Sequence, residues 1–170
     1  PFVIVLHRER ISPRAWAGHN SPTLPTRADM TTPTEPRDIA PRNWSALPHA
    51  PAPGTPLGQR DALPDGIPQM LQLDTGGGAE QPFRYLLLRS GEVVTAFVNR
   101  CAHFGVPLAA RQEHLKFEPH VSISCNVHYA RYRWADGVCD RGDCEGESLL
   151  PIPVTVDTSG HIRIALADTP

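Results

Sequence analysis

From residue 47 onward the chain never holds an apolar pattern for more than seven residues before a turn residue interrupts it. The runs are "QMLQL" (69–73), "FRYLLLR" (83–89), "EVVTAFV" (92–98), "VSIS" (121–124), "ARYRW" (130–134), "IPVTV" (152–156) and "HIRIAL" (161–166). They are rich in β-branched and aromatic residues and alternate in part with period two, the mark of strands. Ser90-Gly91, Asp136-Gly137 and Ser159-Gly160 read as hairpin turns. The one weak helical candidate is 108–116. The pattern predicts an all-β domain with a small loop-rich insertion over about 101–146.

What precedes this pattern is different in kind. Eleven of the nineteen prolines lie at or before Pro56, and such a stretch cannot bury enough apolar surface to offset the entropy of ordering it. Residues 1–46 are expected to be disordered and 47–170 to form one domain. The first Met is Met30, followed by the polar "TTPTEPRD", so residues 1–29 are read as lying upstream of the true start.

Charge and cysteine usage narrow the function classes. With a net charge of −2 and a single Lys, the chain has no basic run that would suit nucleic acid. Its longest early apolar run, "FVIVL", is far below the ~18 residues that begin to suggest a membrane span. Four cysteines are too sparse for a disulfide scaffold. A cytoplasmic protein with reduced thiols is expected.

The chemistry is concentrated in "CAHFGVPLAARQEHLKFEPHVSISCNVHYARY", where C-x-H (Cys101, His103) and C-x-x-H (Cys125, His128) each follow a strand-like run. Thiolate and imidazole select zinc, copper or iron–sulfur over magnesium or calcium. A chance assembly and a closed structural zinc site with two Cys and two His are the competing readings. Zinc clamps usually pair like with like, as C-x2–4-C and H-x3–5-H. Here each loop carries one of each, which suits a [2Fe-2S] centre whose two irons are held by two Cys and two His, each loop touching both irons.

At these residues the sequence resembles the Rieske family: "CAHFGVPL" is similar to its first ligand loop and "CNVHYARY" to its second. The downstream "DGVCDRGDCEGESLLPIPVTVDTSGHIRI" resembles the family's ending, with a turn, a covering loop and two closing strands. The resemblance spans roughly residues 47–168. It implies a Rieske-type antiparallel β-sandwich with a small cluster-binding subdomain and one [2Fe-2S] cluster per chain. By the same resemblance Cys101 and Cys125 would bind the inner iron, and His103 and His128 the outer iron near the surface. Tyr132 stands where the family has a potential-tuning Tyr, and either donates to a Cys sulfur or packs as a strand aromatic.

Departures from the family pattern point to a branch. Its high-potential members carry an extra Cys in each loop and a Ser after the second His. Those places hold Val106, Val127 and Ala130. Fewer donors to the cluster sulfurs imply a potential in the lower part of the Rieske range of about −150 to +300 mV. Residue 129 is Tyr where the family usually has Gly, so either that turn differs or Tyr129 is strained beside His128. His114 and His120 lie in a longer excursion and read as solvated loop residues. Cys139 and Cys144, the latter in the covering loop, read first as reduced structural thiols near the cluster, with a local disulfide or a redox or ligand role as the alternatives.

A saturated Rieske cluster carries electrons one at a time and offers no substrate site. The resemblance implies a soluble Rieske-type ferredoxin passing electrons from a reductase to a terminal oxygenase; the roughly 120 residues of the cluster domain leave no room for an oxygenase's mononuclear iron domain. A Rieske-like small subunit of a larger enzyme, such as assimilatory nitrite reductase, is the second reading. A zinc-stabilised binding module is the third.

Overall fold

The computed structural model describes residues 43–75 and 82–166. Among the described residues ten strands, all paired antiparallel, make three sheets. The first joins β1 (Pro56–Gln59), β10 (His161–Ile164) and β9 (Val154–Val156) in that order; the second is the meander β2 (Gln69–Leu73), β3 (Phe83–Ser90) and β4 (Val93–Val98). The third, also in chain order, holds β5 (Lys116–Glu118), β6 (Ser122–Ser124), β7 (Arg131–Arg133) and β8 (Cys139–Arg141).

The middle sheet organises the rest, because β3 is buried on both faces. Phe83, Tyr85 and Leu87 point into a core shared with Leu57, Ile162 and Ile164 of the first sheet. The alternate residues Leu86 and Leu88 point the other way, into a core with Ile123, Tyr132, Trp134 and all four cysteines. A strand covered on both faces reads as a continuous apolar run, which is why "YLLL" breaks its alternation. Each of its fully buried leucines contributes about 2 kcal/mol relative to exposure. Strand β4 is divided likewise, with Ala96 and Val98 facing the first core and Phe97 the second.

Several expectations need correction. The helical candidate over 108–116 is not an α-helix: it holds only one 3-10 turn, Gln112–His114, before β5 begins at Lys116. Its polar middle supplies no apolar stripe, and its backbone is drawn into pairing with β6 instead. Residues 43–46 lie inside the stretch expected to be disordered, yet Trp44 starts a 3-10 turn capped by the Asn43 side chain and is buried in the first core. Residues 1–42 of that stretch, and with them the reading of Met30 as a start, lie outside the described residues. Among the described residues no helix is long and apolar enough to cross a membrane.

Candidate metal centre

Two loops and one turn meet at the end of the third sheet. The first loop leaves β4 at Cys101, where the Cys101 N–H donates to Val106 O at 2.7 Å and the Gly105 N–H donates to Cys101 O at 2.8 Å. The second leaves β6 at Cys125 and repeats the arrangement: Cys125 N–H to Ala130 O at 2.9 Å and Tyr129 N–H to Cys125 O at 3.1 Å. Each Cys therefore opens a turn whose fifth residue is left-handed, Gly105 at φ +68° and Tyr129 at φ +60°. The loops are tied together where the Asn126 N–H donates to Leu108 O at 2.8 Å, and the Leu108 N–H donates to the buried Asn99 Oδ1 at 3.0 Å.

That repeat decides between the two readings of residue 129. The turn is kept, and Tyr129 carries the left-handed backbone that Gly supplies in the first loop. A non-Gly residue there costs about 1–2 kcal/mol. The Lys116 ammonium lies 4.8 Å from the Tyr129 ring centroid, a contact that offsets about 0.5–1 kcal/mol at an exposed site. Tyr129→Gly would relieve the strain but lose that contact and add backbone entropy to the unfolded chain, so its melting temperature should stay within about 2 °C of the parent. Gly105→Ala gains strain with nothing in return, and the added Cβ meets the Arg100 guanidinium at 2.9 Å. A fall of about 4 °C in a melting scan is expected for it.

The four candidate ligands are brought together as two like pairs. Cys101 and Cys125 are 2% and 0% exposed, and each sulfur lies within hydrogen-bonding reach of the other. Burial pushes the Cys125 thiol up, while hydrogen bonds from the Val127 and His128 backbone oppose that. Amide donors aimed at a sulfur suit a thiolate bound to metal. The imidazoles of His103 and His128 lie further out, with ring centroids 5.1 Å apart and nearly perpendicular. The exposed Phe104 ring packs on both, at 4.1 Å and 5.0 Å between centroids.

His103 shows which of its nitrogens is committed. Nδ1 is buried and has no hydrogen-bond partner, whereas Nε2 faces the exposed Asp143 carboxylate at 3.7 Å. An orphaned buried nitrogen is costly unless something ligates it. Among the described residues no three His, Cys, Asp or Glu side chains converge on a single ion. A tetrahedral zinc needs four ligands around one point; a two-iron centre needs only two protein ligands at each metal. The residues present fit the latter.

Tyr132 is wholly buried, with its Oη 3.1 Å from Cys101 Sγ and 3.3 Å from Cys144 Sγ, and it accepts the Ala102 N–H at 3.1 Å. Burial, then its bonds to the two sulfurs, raise its pKa, so the phenol stays protonated and able to donate. The covering turn rests on Ala130 through Gly142, where a Cβ would come within 3.0 Å of the Ala130 Cα. Its base is pinned by a bidentate ion pair, Arg131 Nε and Nη2 to Asp140 at 2.7 and 2.9 Å. That bond to Arg131 holds the Asp140 carboxyl below the usual carboxylate range.

His114 and His120 are elsewhere. His114 is exposed, and its backbone carbonyl, not its ring, accepts from Asn126 Nδ2. His120 pairs with Ser90 Oγ at 2.9 Å, and its ring lies tilted against Trp134 with centroids 5.8 Å apart. Sequence reasoning missed Asn99, Phe104 and Asp143. Phe104 and Asp143 sit beside a candidate ligand and beside Cys144, a signal adjacency alone could have raised.

A model of the Rieske [2Fe-2S] domain family matches residues 56–157. A search of the curated proteins gave no match. Among solved structures, the chain is similar to the ferredoxin of carbazole 1,9a-dioxygenase from Nocardioides aromaticivorans IC177, with 24% identity, a TM-score of 0.50, and coverage of 65% of this chain and 97% of that one. It is similar also to the terminal oxygenase of carbazole 1,9a-dioxygenase from Novosphingobium sp. KA1, with 24% identity, a TM-score of 0.53, and coverage of 69% of this chain but 32% of the oxygenase. A chain from the reduced complex between oxygenase and ferredoxin in carbazole 1,9a-dioxygenase matches with 23% identity and a TM-score of 0.52, over 69% of this chain and 31% of its own length. The chain thus spans about a third of the oxygenase-length chains it matches, and these likenesses speak to the fold.

Proposed function

The chain belongs to the Rieske [2Fe-2S] domain family, and from that premise we propose that it is a one-electron carrier between a reductase and a terminal oxygenase. Cys101 and Cys125 would hold one iron of the cluster, and His103 and His128 the other. When bound, the cluster takes up and gives back a single electron. The observation that carries the ligand assignment is the orphaned His103 Nδ1 beside two buried thiols and a second imidazole.

The chain's own residues divide the work by depth. The buried cysteines and Tyr132 keep water from the inner side. His128 and the surrounding Phe104, Val127 and Tyr129 are exposed, offering a mostly apolar edge at which a redox partner can approach. The partner classes are supported by the likeness to a ferredoxin of an oxygenase system. Without a Ser hydroxyl at Ala130, the potential belongs in the lower part of the Rieske range. The working compartment is the cytoplasm, as four cysteines too sparse for a disulfide scaffold suggest. The cluster module extends from about residue 43 to residue 166.

The test is direct. Purified protein is expected to be red-brown, with two irons per chain and an EPR signal that appears only on reduction. It should also accept electrons from a ferredoxin reductase and release them to an oxidised acceptor. Colourless protein with stoichiometric zinc would refute the reading.

A further inference from the structure

Cys144 is the one buried residue in an otherwise exposed turn, 141–148. It is 2% exposed and is plugged against Cys139, itself 1% exposed, with the two sulfurs 3.1 Å apart and both free. That separation is shorter than an ordinary contact between sulfurs. The backbone holds it: Cys139 N–H donates to Glu147 O at 2.7 Å, Gly146 N–H to Cys139 O at 2.9 Å, and Glu147 N–H to Cys144 O at 2.9 Å. Two glycines with positive φ, Gly142 and Gly146, flank the cysteine.

We propose that Cys139 and Cys144 form a thiol–disulfide couple, a two-electron redox site distinct from the iron ligands, that exchanges with small-molecule disulfides. A thiolate of the pair attacks one sulfur of the oxidant RSSR, breaking its S–S bond and releasing one RSH. The second thiol of the pair then attacks the mixed disulfide and displaces the other RSH. One S–S bond forms between Cys139 and Cys144 as one breaks in the oxidant. Two protons and two electrons pass from the protein to two RSH. Burial pushes the Cys139 thiol up to about 12, so exchange proceeds on opening of the turn and is slow in the closed state.

The couple is wired to the metal centre by one hydroxyl. Tyr132 Oη lies between Cys144 Sγ and Cys101 Sγ. The Cys144 thiol proton goes to Cys139, so toward Oη the Cys144 sulfur is an acceptor and competes with Cys101 for the Tyr132 proton. In the disulfide Sγ moves toward Cys139 and that proton is left to Cys101. The existence of the couple does not depend on the cluster; only this effect on the centre rests on the function proposed above.

Trypsin separates the two cysteines, cutting after Arg133, Arg141 and Arg163. Full-length protein is incubated anaerobically with a series of reduced and oxidised glutathione mixtures, alkylated, and digested without reductant. The expected product is the 134–141 and 142–163 peptides joined by a disulfide, reversed by dithiothreitol and absent from Cys139→Ser. In the same samples the midpoint potential of the centre should shift upward with oxidation in the parent but not in Cys139→Ser. Both cysteines alkylated at every glutathione ratio, or a lasting mixed disulfide on one of them, would overturn the couple. A joined peptide with an unmoved potential would overturn its link to the centre. Iron-free protein that still forms the joined peptide would count against the carrier function and leave the couple standing.

Discussion

His128→Ala is expected to yield protein with almost no iron, no visible colour and no EPR signal after reduction, while His114→Ala is indistinguishable from the parent in all three. On the proposed ligand set each iron would have only two protein ligands, so removing one would leave a metal held by a single side chain and open to water. His128 is on the exposed side of the site, where water has access. His103→Cys and His128→Cys supply a ligand of the wrong charge and length and are expected to alter or destroy the cluster. His114 is the sharper control because it is a histidine of the same segment. It sits in the 3-10 turn before β5, and its contribution to the second ligand loop is a carbonyl that accepts from Asn126 Nδ2. Alanine keeps that carbonyl. Loss of colour in His114→Ala would mean that the ligand set is misassigned.

Tyr132→Phe should keep the cluster but lower its midpoint potential by about 40 mV. Reduction places more negative charge on the sulfurs, and a hydroxyl 3.1 Å from Cys101 Sγ favours that state. A charge-assisted bond that strengthens by about 1 kcal/mol between the two states corresponds to about 40 mV for a one-electron couple. The substitution also strands the Ala102 N–H, which donates to Oη, so some stability is lost whatever the potential does. Tyr85→Phe separates the two effects. Its hydroxyl donates to Leu57 O at 3.1 Å in the other core, equally buried but far from any sulfur. It should cost stability and leave the potential where it was. An unmoved potential in Tyr132→Phe would make Tyr132 a packing residue only.

What could be read in the sequence followed from how local the cause was. Strands β3 and β4 coincide with their runs to within a residue, since alternation and turn are encoded side by side, but the turn falls at Gly91 and Glu92, one residue beyond the expected Ser90-Gly91, because Ser90 pairs with Val93. Strand β1, "PLGQ", carries Pro and Gly and shows no period, because its pairing with β10 comes from the far end of the chain. The three-residue β5 and β8 are strands only through their neighbours. The candidate ligands were legible because chemistry limits which residue types bind iron. Cys139 and Cys144 were read as thiols near the cluster, but the seat of Cys144 between Tyr132 and Cys139 and the approach of Asp143 to His103 are made by the tertiary fold of the covering turn. The strain at Tyr129 was half legible: the residue was conspicuous, and only the backbone shows that it adopts the turn rather than changing it.

Strand β3 gives Leu87 to one core and Leu86 and Leu88 to the other, so among the described residues no plane separates a scaffold from a detachable metal-holding part. A disturbance that loosens the leucines on one side withdraws support from those on the other. Cooperativity is thereby built in at the centre: the module that carries the electron and the module that carries the chain's stability melt as one.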